Sequence, residues 1–301
     1  LLDEKAWKLM KIKNVLMLTM LILSIVIPGC GWFGEVGDCD GDTLCGSGGW
    51  GSEIREIQAF THISIAVSGN VILRRGEGGS VKVETDKDLM KYIETVVEDV
   101  TLHIRFTEDV TNFQPSRSNR ITLKYEDLQG LAISGSADVT CDDIATKAFE
   151  LVHNGSGDLT MDGVHSERMT LVHLGSGKVE VEEVEADQVS LRSTGSGEIE
   201  IASVEVDRLK IELFGSGDMT LCGEVREQVI ASTGSADYVA EELCSERANI
   251  RLSGSGNVTI WVAHDLDVRI PGSGEVANYG YPRLKIFSSD LGKFKILGFH
   301  R

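Results

Sequence analysis

Proline and aromatic residues are both scarce, with 4 prolines and 6% Phe, Trp and Tyr in 301 residues. With 33 glycines but so little proline, collagen and proline-rich disorder are excluded, and 6 cysteines in so long a chain do not make a disulfide-stapled miniprotein. A core with few aromatics must be filled by Val, Ile and Leu, the composition of strands more than of ligand pockets. Basic residues are also in short supply, 29 Lys and Arg against 47 Asp and Glu, for a formal net charge of -18. A surface that negative repels phosphate instead of releasing counterions from it, which excludes nucleic acid as the expected partner. What is present, 42% hydrophobic and 25% charged residues, suits one or two ordinary globular domains.

The chain opens on Leu1, and its first methionine is Met10, followed by Lys11, Ile12, Lys13 and an apolar run from Val15 to Pro28 that stops at Gly29-Cys30. The run is too short and too abruptly ended to cross a membrane; the pattern predicts a cleaved export leader over residues 1–29, with the true start at Met10. Ile27-Pro28-Gly29-Cys30 resembles the lipobox of bacterial lipoproteins, although Pro28 is an unusual occupant two before the cysteine. The resemblance implies that Cys30 takes a diacylglycerol and becomes the mature N-terminus; the other reading is an ordinary leader with a coincidental cysteine. More than one acyl chain on one residue gives stable membrane association where a single chain is marginal. In the enterobacterial version of that family an Asp after the cysteine would hold the protein at the inner membrane, so with Gly31 in its place the resemblance implies the outer membrane.

Residues 30–53, with Gly-Asp-Cys-Asp-Gly-Asp and Gly-Ser-Gly-Gly-Trp-Gly, lack an apolar period and read as a flexible tether. Gly46, Gly48 and Gly51 spell G-x-G-x-x-G, but with no strand before and no helix after, a dinucleotide site is not expected. Asp38, Asp40 and Asp42 are spaced like the first ligands of a calcium loop, yet Gly49 stands where a bidentate Glu is required, so a solvated acidic linker is preferred. Cys39 and Cys45 are spaced to allow a small disulfide in an oxidising compartment.

From Leu131 onward the sequence repeats. A Gly-Ser-Gly or Gly-Ser-Ala turn has its first glycine at Gly135, Gly155, Gly175, Gly195, Gly215, Gly234, Gly254 and Gly272, in steps of 20, 20, 20, 20, 19, 20 and 18. So steady a period means stacked supersecondary units. Four residues before the glycine stand Leu131, Leu151, Leu171, Leu191, Ile211, Ile230, Ile250 and Val268; four after stand Val139, Leu159, Val179, Ile199, Met219, Tyr238, Val258 and Val276. Apolar and polar residues alternate with period two on either side, so each unit reads as strand, tight turn, strand. The prediction is an all-β parallel β-helix, or β-solenoid, of twenty-residue coils whose equivalent residues stack about 4.8 Å apart. Glycines at both ends of the turn are expected to supply positive φ and close backbone stacking.

Upstream, Ile63, Ile65 and Val67 lead into Ser68-Gly69-Asn70 and Val71-Ile72-Leu73, one more turn of the same kind. Val81 to Val83 and Leu102 to Phe106 read as strands, and Leu89 to Val96 as a short helix. Residues 54–130 are therefore expected to form an irregular first part of the solenoid that covers its open end, residues 131–278 the regular repeats, and residues 279–301 the cap of the other end. The Gly-Ser-Gly-Asp-Leu-Thr style of repeat, the Phe60 to Asn70 segment before it and the lipoprotein leader together resemble the bacterial head-GIN domain family, labelled auto-transporter adhesins. The resemblance covers roughly residues 54–280. It implies a β-helix related to pectin lyase-like folds, with no catalytic residue to carry over.

His153 and His173 share the column two before the glycine and stack one coil apart, so they could share a metal. Ile133, Leu213, Leu252 and Ile270 share it too, so the column points inward and two buried, hydrogen-bonded histidines are preferred to a site. Asp138, Asp158, Lys178, Glu198, Asp218, Asp237, Asn257 and Glu275 form an acidic ladder three after the glycine, a cation-collecting edge or, as preferred, a solvated one. The turn serines, Ser136 through Ser273, read as a hydrogen-bonding ladder, because no base keeps register beside them. No catalytic pattern, metal site or cofactor is expected.

A polysaccharide-active enzyme on such a scaffold would need loops inserted between coils, and the period leaves no room for them; hexapeptide acyltransferases are built of six-residue steps, into which coils of twenty do not divide. Outward positions mix Arg192, Glu212, Arg251, Arg269 and Val172 on a long flat face suited to glycans, matrix proteins or another copy of the rod. The expectation is thus an exported, lipid-anchored outer-membrane protein of the cell envelope that binds glycan or envelope polymer without catalysis. The alternatives are a periplasm-facing structural protein and a polysaccharide-active enzyme. If Cys30 carries the anchor, Cys30→Ser moves the chain from the membrane fraction to the soluble fraction on cell fractionation; an unchanged distribution would overturn that reading.

Overall fold

The computed structural model describes residues 43–108, 110, 112–288 and 293–298; the leader, Cys30, Cys39 and the Asp38, Asp40, Asp42 spacing lie outside the described residues. The period-two pattern around each turn becomes a stack of parallel coils. β10 (Gly130–Ile133), β11 (Ser136–Cys141), β12 (Ile144–Ala145) and β13 (Ala148–His153) follow an N-terminal set, β1 (Thr43–Cys45), β2 (Trp50–Glu56), β3 (His62–Ala66), β4 (Ser68–Arg75), β5 (Ser80–Asp86), β6 (Ile93–Glu98), β7 (Thr101–Phe106), β8 (Asn112–Gln114) and β9 (Arg120–Tyr125). Long coil strands come next: β14 (Leu159–His173), β15 (Val179–Ser193), β16 (Ile199–Leu213), β17 (Met219–Ser232), β18 (Tyr238–Leu252) and β19 (Val258–Ile270). β20 (Val276–Tyr279), β21 (Arg283–Ser288) and β22 (Phe294–Gly298) close the series.

Each long strand is three segments on three sides of a coil. β15 pairs with β16 in parallel over Val179–Val181, Glu183–Ala186 and Gln188–Ser193, and the ladder skips Glu182 and Asp187 at the corners. The sequence resolves only two of these segments, because the corners break the alternation that marks a strand. Val179, Val181, Val184, Val189 and Leu191 point inward and are buried, and the same columns continue above and below as aliphatic ladders. Burying such side chains contributes about 1.5–3 kcal/mol each, which is what a coil without helices has to hold it.

The turn glycines act through close approach and not through positive φ. None of the eight turn glycines has positive φ; among the described glycines that conformation falls at Gly48, Gly69, Gly76, Gly79, Gly223, Gly280 and Gly298. Instead, a Cβ built on Gly175 would overlap the carbonyl oxygen of Gly155, one on Gly195 that of Gly175, and one on Gly215 that of Gly195. The backbone ladder runs through the turn as well, with Ser176 N–H donating to Gly155 O at 3.1 Å and Ser196 N–H to Gly175 O at 3.2 Å. Where the step shortens to nineteen, the β16–β17 register shifts between Ile201 and Val204, and Gly223 takes φ 120° against the Val204 backbone.

At the N-terminal end, β3 and β4 stack in parallel on β10 and β11, with Ser68 opposite Ser136 and Gly69 opposite Ala137, as the Ser68-Gly69-Asn70 turn predicts. β7 and β9 then stack outside β3 and β4, so spatial order departs from chain order. Antiparallel β6 on β7, β5 on β9 and β2 on β5 lie along this end. The expected helix at Leu89 to Val96 is a single 3-10 turn, Met90–Tyr92, followed by β6; branched Ile93, Thr95, Val96 and Val97 favour the strand that β7 pairs. Residues 43–53, read from composition as tether, hold β1 and the start of β2, because the edges of β8 and β5 recruit their backbones despite the glycines. The G-x-G-x-x-G stretch accordingly has a strand before it, but a strand and not a helix after it.

Of residues 279–301, the described part adds strands to the stack. β21 and β22 continue the stack beneath β19 and β20, which leaves Leu284, Ile296 and Leu297 at 40–46% exposure. Cys45 is disulfide-bonded, whereas Cys141, Cys222 and Cys244 are free thiols. Among the described residues no helix is long and apolar enough to cross a membrane.

Gly195→Ala should lower stability by about 1–3 kcal/mol, since the clash is with backbone that cannot rotate away. Ser196→Ala, on an exposed neighbour, should change it by less than about 0.5 kcal/mol. Urea unfolding midpoints of the two variants provide the check.

Candidate functional site

The histidine column points inward, as expected. His153 and His173 are fully buried, and their rings stack with centroids 5.1 Å apart and planes at 26°. The expected hydrogen bonding is only partly present. His153 Nε2 lies 2.9 Å from Gly157 O and so donates to it, whereas Nδ1 of both rings and the Ser193 hydroxyl, next in the column, have no partner among the described residues. Burial lowers the pKa of both imidazoles from the ordinary 6.5. For His173 burial and then the charge of His153 push it down to about 4; for His153 the Gly157 carbonyl and Asp158 oppose the fall. Both rings are neutral core groups, and no group of three or more metal-ligating side chains occurs among the described residues.

The acidic ladder is more than a solvated edge. Asp138 Oδ1 accepts from Asp158 N–H at 3.0 Å, Asp158 Oδ1 from Lys178 N–H at 2.7 Å, Asp218 Oδ1 from Asp237 N–H at 2.7 Å and Asp237 Oδ1 from Asn257 N–H at 2.6 Å. Asn257 Oδ1 accepts from Glu275 N–H at 3.1 Å. Each short side chain thus holds the next coil's backbone as it leaves the turn. The series breaks at Lys178, which has no acceptor and pairs with Glu180 and Glu200 instead, and at the longer Glu198. The turn serines are exposed, and their backbone N–H groups make the coil-to-coil bonds.

The third side of the coil carries chemistry of a different kind. Residues seven, five and three before each turn glycine point outward from one parallel sheet. Of the eleven Lys and Arg between residues 148 and 287, nine lie there and all nine are exposed; Lys178 and Arg226 are the two elsewhere. Only five of the acids in the same span, Glu150, Glu212, Glu227, Asp265 and Asp267, share that face, so it is net positive on a chain that is strongly negative overall. The row seven before the glycine holds Arg168, Arg208 and Arg247, the row three before it Arg192, Arg251 and Arg269. Some of these are engaged: Lys210 with Glu212 at 2.8 Å, Arg283 with Asp265 at 2.8 Å, and Arg192 over the Phe214 ring at 4.9 Å. Arg168, Arg208, Arg247 and Arg251 make no ion pair among the described residues.

A shallow groove of about 520 Å³ lies on this face, lined by Arg168, Thr170, Gln188, Ser190, Arg208, Lys210, Glu227 and Val229, with Met169, Val189 and Leu209 beneath. Most of its lining is apolar, and its rim carries guanidinium, ammonium, amide and hydroxyl groups together with the Glu227 carboxylate, which can meet the apolar faces of sugar rings as well as their hydroxyls and carboxylates. The row of Arg192, Arg251 and Arg269 is legible in the sequence as part of an outward face. The two rows beside it are missed there, although the same alignment on the turn glycine contains them.

The model of the family described as "Putative auto-transporter adhesin, head GIN domain" matches residues 59–182 and 169–282, more than half of the chain. The chain belongs to the head GIN domain family. Membership supports an adhesin-like role and points to the cell surface or envelope. Among solved structures, a "putative adhesin" from Parabacteroides merdae is similar at 17% identity and TM-score 0.60, covering 85% of this chain and 97% of its own. A second "putative adhesin", from Parabacteroides distasonis, is similar at 17% identity and TM-score 0.61, covering 85% and 100%. A "putative lipid binding protein" from the same species is similar at 18% identity and TM-score 0.60, covering 85% and 96%. At such identities the likeness shows the shared fold. No curated protein matches the chain.

The buried histidine pair gives a pH signature. Both rings are neutral when folded, while the unfolded chain takes up protons near pH 6.5, so the stability is fully present above that pH and is lost progressively as pH falls toward about 4. His173→Leu, the residue type at Leu213 and Leu252 in the same column, should flatten the decline. Urea midpoints of both proteins across that pH window would show it.

Proposed function

We propose that the chain is a lipid-anchored adhesin of the cell envelope that binds glycan or another envelope polymer on the cationic third side of its solenoid, without catalysis. The observation that carries the reading is the segregation of charge. Between residues 148 and 287, nine of eleven cationic side chains sit on one flat face with a shallow groove, on a chain whose net charge is -18. Packing does not require this, since outward residues of a parallel sheet are free of the core. Surface ion pairs contribute about 0–1 kcal/mol, too little for stability to account for the pattern. A flat face without inserted loops favours an extended ligand lying along the coils over a small molecule enclosed in a pocket. Export and the anchor rest on the leader and on Cys30.

Charge reversal of the groove, Arg208→Glu with Lys210→Glu, should weaken retention on immobilised envelope polysaccharide by about tenfold or more, at about one kcal/mol or more per lost charge-assisted contact. Reversal of Arg74, at the corner between the first two sides of the coil by the registers of β4 on β11 and β11 on β14, should leave retention within about twofold. Equal loss from both substitutions, or from neither, would contradict the assignment of the binding face.

A further inference from the structure

On the proposed reading that this face binds a polymer, we infer that its ligand is an acidic polysaccharide carrying a carboxylate on every second sugar. Arg168, Gln188, Arg208, Glu227 and Arg247 are opposite one another in successive coils, by the registers of β14 on β15, β15 on β16, β16 on β17 and β17 on β18. Arginine therefore recurs at every second coil, two inter-strand spacings or roughly 9.6 Å apart. All three guanidiniums are exposed and make no ion pair among the described residues, even though Glu227 stands between two of them. The next arginine in the row, Arg283, is by contrast held by Asp265 at 2.8 Å, which ends the run of free cations.

The pitch selects the ligand. An extended pyranose unit is about as long as one inter-strand spacing, so a polysaccharide laid along the row places one sugar over each coil. Carboxylates on alternate sugars meet Arg168, Arg208 and Arg247, each with a planar fork suited to a carboxylate. The intervening sugars lie over Gln188 and Glu227, an amide and a carboxylate that can hydrogen-bond sugar hydroxyls. A polymer charged on every sugar would set a carboxylate against Glu227, and it would also meet the negative remainder of the coil. Sparse charge limits that second repulsion, because at physiological ionic strength screening acts over about 8 Å.

The test uses the full-length chain and three soluble probes: hyaluronan, with a carboxylate on every second sugar; polygalacturonate, with one on every sugar; and an uncharged β-linked glucan. Hyaluronan is expected to bind tightest, with about a tenfold loss in Arg208→Gln and a comparable loss in Arg247→Gln. Glu227→Gln is expected to raise affinity for polygalacturonate several-fold and change that for hyaluronan little. Urea midpoints equal to that of the parent would show that the variants are folded. Equal affinity for the two acidic polymers, or a Glu227→Gln variant that leaves polygalacturonate binding unchanged, would overturn the alternating-charge inference while leaving polymer binding in place. So would binding of the glucan that the arginine variants do not alter. Binding of none of the three, with the chain folded, would overturn the inference, and failure on whole envelope polysaccharide as well would overturn the polymer-binding reading beneath it.

Discussion

The approach of one glycine turn to the carbonyl oxygen of the turn before it is the constraint on which the rest of the solenoid depends. Gly155, Gly175, Gly195 and Gly215 stand in one column, each facing the oxygen of its predecessor closely enough that a Cβ would overlap it. That contact holds the turns at strand spacing, so the inter-strand ladder continues through the corner instead of breaking there. The inward columns of Leu, Val and Ile then fall into register without helices or disulfides between the coils. Asp138, Asp158, Asp218 and Asp237 reinforce the same corner, each accepting the next coil's N–H. An acidic ladder that would repel itself in solution is thus tied coil by coil to a donor.

All three sides of the coil stack in parallel, and the third side is set apart by what its outward residues carry. Its outward residues make no demand on the core, and there the sequence places nearly all of the coils' cations. The remainder of the rod is acidic, which keeps it soluble and discourages polyanions from every other direction. A positive strip on a negative body orients a charged polymer as well as attracting it. The lack of inserted loops gives the same strip a constant pitch, and pitch is a means of selection that a pocket does not have.

Much of this architecture can be read in the sequence, because the coil is short and each column repeats. The aliphatic columns, the inward direction of His153 and His173, and the place of Ser68-Gly69-Asn70 on the stack all follow from alignment on one glycine. The order of β7 and β9 does not, since parallel pairing outside β3 and β4 leaves no local mark in either segment. Nor does β2, whose strand character comes from the edge of β5 and not from its own residues. Glycine is misread in a different way. Gly223 and Gly69 need positive φ, while Gly175 and Gly195 need absence of a side chain, and the letter is the same for both. The cationic face escapes notice because a face is three columns seen together, and one column alone mixes Arg192 with Glu212 and Val172.

The measurement that tests the central claim most directly is arginine footprinting of the folded chain. Phenylglyoxal modification with and without bound envelope polysaccharide, mapped by mass spectrometry, reports each guanidinium separately. The account predicts protection at Arg168, Arg208 and Arg247 while Arg74, at the corner between the first two sides and paired with Asp142 at 2.5 Å, keeps its unbound reactivity. Protection at Arg74 with the three arginines of the row still reactive would place the working surface elsewhere and contradict the account.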